Sequence, residues 1–313
     1  MSAEAHGNRA IVAALLANIG IAVTKFIAYL LTFSSSMLAE SIHSVADSGN
    51  QVLLLVGGRR AKREATAQHP FGYGRDRYIY AFIVSIVLFS VGGLFALYEA
   101  WHKYEAYHAD PAHSGITSWQ WVPVTVLVVA IILESFSFRT AIKESNAVRG
   151  KTSWIRFVRT AKAPELPVIL LEDLGALLGL IFALFGVGMT LITGVGLWDA
   201  IGTAMIGVLL VLIAIILAIE TKSLLIGESA REEDVAKIEQ AILNGPEVER
   251  LIHMKTLHLG PDELLVAAKI AVRDYETAEK VALGIDAAEA RIRDAVPIAR
   301  VIYLEPDIFR REG

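Results

Sequence analysis

The chain contains no cysteine in its 313 residues, which excludes both disulfides and thiolate metal ligands. It also lacks an H-E-x-x-H helix, a Ser/His/Asp set and a Gly-rich phosphate loop. Without those motifs a membrane metalloenzyme or an ATP-driven pump has no sequence support, and no enzymatic activity is expected. A strong charge imbalance is missing too. The formal net charge is -4, and the basic residues cluster beside apolar blocks, so no nucleic-acid partner is expected. The opening MSAEAHGNRA has neither the basic start nor the short apolar core of a signal peptide and reads as an uncleaved cytoplasmic tail.

What the chain has in quantity is apolar sequence in long blocks. Hydrophobic residues make up 54% of it and mean hydropathy is +0.51, the composition of a polytopic membrane protein. Six blocks, at 10–32, 36–58, 79–101, 120–141, 167–190 and 197–222, come near the roughly 20 residues that a helix needs to cross about 30 Å of hydrocarbon. The second connection holds Arg59, Arg60, Lys62, Arg63, Arg75 and Arg77, and the fourth holds Lys143, Arg149, Lys151, Arg156, Arg159 and Lys162. The first and fifth hold no basic residue and the third only Lys103. The positive-inside rule therefore predicts that the even connections and both termini are cytoplasmic. Trp101, Trp119, Trp121 and Trp198 fall at the predicted outer ends, as an aromatic belt would place them.

Past residue 221 the composition becomes that of a small soluble domain. An amphipathic helix over 231–244 is followed by strand-like runs at 253–259 and 264–273, joined by a Gly260-Pro261-Asp262-Glu263 turn. A second helix over 276–295 stops before Pro297, and 298–304 is a third strand. That order predicts an α+β sandwich with both helices on one face of the sheet and edge strands able to meet a twin copy.

The second apolar block is the unusual one. It carries Glu40, His43, Asp47 and Asn50 at steps of three, four and three, so a helix sets all four on one face. Each charged group at mid-bilayer costs roughly 2.5–3.5 kcal/mol on insertion scales, which makes such a stripe a functional site by default. His43 and Asp47 lie one turn apart and can reach one ion. Imidazole and carboxylate without sulfur suit Zn²⁺ and admit Fe²⁺, Co²⁺, Mn²⁺ and Cd²⁺. Metal and protons compete for such ligands, which provides a route to coupling.

The second span, HPFGYGRDR at 69–77, LLED at 170–173, WDAIGTAMIG at 198–207 and LLIGESA at 224–230 together resemble the cation diffusion facilitator family. A-E-x-I-H-S-x-x-D-x-x-N-Q on span two with L-L-E-D on span five is similar to its zinc transporter nine-like branch. The resemblance implies an all-α six-helix transmembrane domain (1–222) and a small cytoplasmic α+β, ferredoxin-like domain (223–313). It also implies a homodimer that exchanges a divalent metal for protons and exports the metal across a bacterial inner membrane, with no cofactor beyond the transported ion. It makes Asp173 a metal ligand. The position one turn earlier, often His or Asp in the family, is Ile169 here. Glu172 is the substitute at hand, but adjacent helical residues point about 100° apart. Either the helix rotates to share the two carboxylates, or Asn50, Glu40 or water completes the shell.

Lys25, inside span one, is expected to find an acidic partner in Glu40 or Asp199, and Glu134 of span four is a proton relay, an accessory ligand or a helix-to-helix hydrogen bond. Asn18 and Ser135 are side chains of the kind that join membrane helices. Two accessory sites of the family look degraded. His69 is followed four residues later by Tyr73, and the last strand has Tyr303 and Glu305 in place of histidine and aspartate. His253, His258 and Glu305 are left as a weak cytoplasmic site on a domain read chiefly as a dimerisation module. A passive channel or a non-transporting metal sensor would need the same ligands and stays beside the exchanger reading.

Overall fold

The computed structural model describes residues 3–110, 119, 121–273 and 277–308, with side chains described from Asn18 onward. The chain divides into two compact units, Met1–Gly57 with Ile79–Thr221, and Gly58–Tyr78 with Lys222–Gly313.

The first unit is helical. Its elements are α1 (Ala3–Thr32), α2 (Ser35–Arg60), α3 (Asp76–Val87), α4 (Phe95–Ala109), α5 (Trp121–Arg149), α6 (Trp154–Thr160), α7 (Glu165–Thr193) and α8 (Leu197–Ile226). A π-helical turn, Leu88–Leu94, joins α3 and α4 into one rod. Among the described residues four helical segments are long and apolar enough to cross a membrane: Asp76–Ala109, Trp121–Arg149, Glu165–Thr193 and Leu197–Ile226. From Asn18 to Thr32, α1 is a shorter apolar helix. The 26 residues of α2 would span about 39 Å at 1.5 Å each, but its serines and its Glu, His, Asp and Asn stripe reduce its hydropathy.

Several boundaries differ from the sequence reading. Helix α1 begins at Ala3, so the expected N-terminal tail has helical backbone. Helix α4 runs two turns beyond Trp101, which places that ring within a helix and not at its end. The connection between α5 and α7 contains α6, whose Ser153 side chain caps it by accepting from the Arg156 N–H. Its signal was too short for a periodicity argument.

Small residues set how closely the helices cross. A Cβ on Gly202 would stand 2.8 Å from the Phe182 carbonyl oxygen and 3.0 Å from the Gly186 Cα, so the α7 and α8 backbones touch where only glycine fits. Helix α7 ends at Gly194, whose φ of 71° closes it in the left-handed region. The N-terminus of α2 is fixed from α8: the Asp199 carboxylate accepts from the Ser34 and Ser35 hydroxyls and from the Ser35 and Ser36 N–H groups at 2.8–3.3 Å. This meets the first free amides of the helix and its positive end together.

The second unit contains α9 (Glu232–Leu243), β1 (Arg250–Gly260), β2 (Glu263–Ala271), α10 (Ala278–Ala295) and β3 (Ala299–Asp307). The sheet order is β1-β2-β3, with β1 and β2 antiparallel and β2 and β3 parallel. Ile238 and Ile242 of α9 and Ala288 and Ile292 of α10 share a core with Leu264, Val266 and Ile270, so both helices cover one face as expected. The turn is tighter than predicted, because Gly260 pairs with Glu263 and leaves only Pro261 and Asp262 unpaired. Three strands are described, against four in a β-α-β-β-α-β arrangement.

Replacing Asp199 by Ala leaves the Ser35 and Ser36 amides without an acceptor in an apolar setting. A loss of roughly 1–3 kcal/mol is expected, read as a lowered thermal midpoint of the detergent-solubilised chain, whereas an unchanged midpoint would contradict the capping role.

Candidate metal centre

The stripe on α2 faces inward. Glu40, His43 and Asn50 are at most 1% exposed, while Asp47 is half-buried. Each meets a neighbour from another helix or is left with free polar atoms. The Lys25 ammonium of α1 donates to Glu40 Oε2 at 3.0 Å and to Ser44 Oγ at 2.8 Å, which identifies Glu40 as its partner, since Asp199 is occupied by the α2 cap. The other Glu40 oxygen lies where a side chain on Gly179 would be, 2.7 Å from that position, so α7 approaches α2 closely there. Asn18 donates to Gln51 at 3.4 Å and links α1 to α2.

His43 packs against Gly92 in the π-helical turn, its Nδ1 only 3.9 Å from where a Cβ would stand. The nearest carboxylate oxygen is Asp47 Oδ1 at 3.5 Å from Nδ1. Both imidazole nitrogens, Asp47 Oδ1 and Asn50 Oδ1 are buried with no hydrogen-bond partner. Buried polar atoms are nearly always paired, so these four unpaired nitrogen and oxygen atoms within two turns, with Glu40 Oε1 one turn earlier, mark the stripe as a candidate site.

Helix α7 brings its two acids to different neighbours. Glu172 is buried and accepts from the Asn50 side-chain amide at 2.6 Å, so it faces α2. Asp173 turns to α5 and accepts from the Ser137 hydroxyl at 3.0 Å. This is the divergence of about 100° between adjacent helical residues. Asp47 feels the charges of both acids, and Glu134, one turn before Ser137 on α5, feels that of Asp173. Among the described residues, no three His, Asp or Glu side chains converge closely enough to hold one ion in this arrangement. The structure thus sets His43 beside Asp47 without a hydrogen bond, pairs Asn50 with Glu172, and holds Asp173 aside.

Ser135, expected to bridge helices, donates instead to the Ile131 carbonyl of its own helix. The bridging role belongs to Ser137, which the sequence signals only by lying three residues after Glu134. Ser44, four residues after Glu40, was equally legible by helical spacing.

In the second unit His258 lies apart from the other two weak-site residues, whereas His253 and Glu305 line one open pocket. His253 pairs across β1 and β2 with Lys269, which pairs in turn with Glu305 of β3. The Lys269 ammonium reaches Asp307 at 2.9 Å and Glu305 at 3.2 Å. Hydrogen bonds first to Asp307 and then to Glu305 raise its pKa above the ordinary lysine value. A cation therefore already occupies the middle of that row. His258 is buried near the hairpin, its Nδ1 3.2 Å from the Gly260 carbonyl oxygen, and is not the solvated strand residue expected. In the 58–78 segment, the Tyr73 ring contacts His69 at 4.8 Å.

Ionisable side chains turned into a bundle of membrane helices mark a candidate ion or proton site in an integral membrane protein. A model of the cation efflux transmembrane domain matches residues 11–226, and the chain belongs to the cation diffusion facilitator family, in its zinc transporter nine-like branch. It is 30% identical over 248 residues to the human proton-coupled zinc antiporter SLC30A9, mitochondrial, a match covering 79% of this chain and 42% of that protein. It is 27% identical over 275 residues to metal tolerance protein C4 of Arabidopsis thaliana, covering 85% and 57%. A shorter match, 33% over 78 residues, links it to mitochondrial metal transporter 2 of Saccharomyces cerevisiae, covering 25% and 16%. The chain spans roughly two-fifths to three-fifths of the length of the first two. The human relative is mitochondrial by name, a different setting from the bacterial inner membrane expected from the sequence.

The Lys25–Glu40 pair yields a double-variant test. Lys25→Met alone strands a buried carboxylate and is expected to cost about 3–5 kcal/mol. Adding Glu40→Gln removes the stranded charge and recovers most of that loss. Thermal unfolding of the single and double variants checks this, and equal midpoints in both would contradict it.

Proposed function

We propose that the chain is a proton-coupled antiporter for a divalent metal ion, zinc before iron, cobalt, manganese or cadmium, that carries the metal out of the cytoplasm. The observation that carries this reading is the His43–Asp47 turn, set in the bundle with nitrogen and oxygen atoms unpaired and Asp47 within electrostatic reach of the α7 acids. Imidazole and carboxylate oxygens suit zinc at about 2.0–2.2 Å, and the human relative's name, a proton-coupled zinc antiporter, supports both ion and counter-ion.

His43 and Asp47 supply two ligands in this reading. The third comes from Asp173 once it leaves Ser137, or from Glu172 once it leaves Asn50. Protons and metal compete for the same lone pairs, so loading one discharges the other. Glu134, which feels the charge of Asp173, passes a proton to or from that carboxylate in this reading. The Lys25–Glu40 pair is a fixed support that holds α1 on α2.

The same reading gives six spans, with α1 and α2 completing the bundle. Residues 1–222 form the transport domain and 223–313 a ferredoxin-like domain through which two copies dimerise. The basic residues of the even connections support cytoplasmic termini.

Zinc uptake by proteoliposomes containing the purified chain tests this. An opposing pH gradient is expected to drive zinc movement, with protons flowing in the reverse sense, and His43→Ala or Asp47→Ala to reduce flux to the background of empty vesicles while the variants elute as folded protein. Zinc flux with no proton counterflow would identify a passive channel, binding without flux a sensor, and normal flux in Asp47→Ala would remove the site assignment. For the third ligand, Glu172→Gln is compared with Asp173→Asn, and the variant that loses zinc affinity marks the residue.

A further inference from the structure

Away from the α2 stripe, an open cavity of about 640 Å³ lies in the membrane unit between α5, α6, α7 and α8. Ile142 of α5, Leu171 and Leu174 of α7 and Ile219 of α8 form its apolar wall. Helix α6 closes one side. Its Phe157 is buried against Ala141 and Leu170, which anchors α6 to the bundle and leaves Trp154 and Ile155 at the cavity, with Ile155 76% exposed. A seven-residue helix with a buried aromatic on one side and tryptophan, isoleucine and arginines on the other is suited to the membrane interface.

The charge around α6 is of one sign. The segment 143–162 holds six basic residues and one acid, Glu144. Arg156 is exposed. Arg159 lies at the cavity itself beside Glu220, and its Nε is 3.8 Å from the Glu220 carboxylate with 71% of the side chain exposed, a long and wet pair of little strength. The Arg149 guanidinium sits 4.0 Å from the centre of the Trp154 ring.

A groove walled by membrane helices is filled by hydrocarbon, and a basic rim at the level of the headgroups selects which lipid supplies it. We propose that this groove is a binding site for an anionic phospholipid, one acyl chain lying along Leu171, Leu174 and Ile219 and the headgroup phosphate held by Arg156 and Arg159. The occupied groove backs the turn of α7 that carries Glu172 and Asp173. The assignment needs only the chain's place in a bilayer and is independent of which ion it moves.

Tryptophan quenching by brominated lipids reads this directly. The full chain and a Trp154→Phe variant are placed in phosphatidylcholine vesicles doped with brominated phosphatidylglycerol or brominated phosphatidylcholine, and their difference isolates the Trp154 signal. Half-quenching is expected at a fraction of the anionic lipid lower by at least about fivefold, the effect of a single basic residue at an anionic surface. The preference is expected to disappear in Arg156→Gln/Arg159→Gln and to survive in Arg156→Lys/Arg159→Lys, which keeps the charge and controls for folding. Soluble glycerol phosphate in excess should leave the quenching unchanged. Equal quenching by both lipids in the parent chain, a preference that survives the Gln pair, or displacement by glycerol phosphate would each overturn the proposal.

Discussion

A charge taken out of water into an apolar bundle must be met by an opposite charge, a hydrogen bond or a ligand, and helix α2 places that requirement at the centre of this molecule. Its first turn is met by Asp199, which holds four hydroxyl and amide donors. Glu40 is met by Lys25. Asn50 gives its amide to Glu172. Left without a hydrogen-bond partner after these pairings are both His43 nitrogens and one oxygen each of Glu40, Asp47 and Asn50, the atoms that the proposed cation would meet.

Helical geometry then decides what α7 contributes. With about 100° between neighbours, Glu172 and Asp173 divide between α2 and α5, where Asn50 and Ser137 hold them. In the proposed reading each of those hydrogen bonds would compete with a metal for the same oxygen, so the carboxylates stay near the proposed site without being committed to it. Close backbone contact at Gly186 and Gly202 makes α7 and α8 a firm pair, against which a smaller shift of α2 or α5 would be felt.

Much of this was legible in the residues. The His43–Asp47 turn, the inward face of α2, the four most apolar spans and the helix and strand order of the second unit follow from spacing and composition alone. The choice between Glu40 and Asp199 as partner of Lys25 did not, because both are acids at a compatible depth and only the α2 cap removes one of them. Ser137 was overlooked in favour of Ser135 because hydroxyl type says nothing about whether a side chain bonds its own helix or the next. Lys269 was invisible as the residue that separates His253 from Glu305, since strand register depends on the turn length, and the turn proved two residues shorter than its Gly-Pro-Asp-Glu sequence suggested. Helix α6 was hidden by its length, although its Ser153 cap and its Trp154-Ile155-Arg156-Phe157 run were there to be read.

Whether an imidazole from α2 binds the ion directly is answered by X-ray absorption at the zinc edge on the zinc-loaded, full-length chain, compared with His43→Ala. The account predicts nitrogen and oxygen neighbours at about 2.0–2.2 Å with the outer-shell scattering of an imidazole ring, and loss of that ring signal together with bound zinc in the variant. An identical spectrum and zinc content in His43→Ala would contradict it.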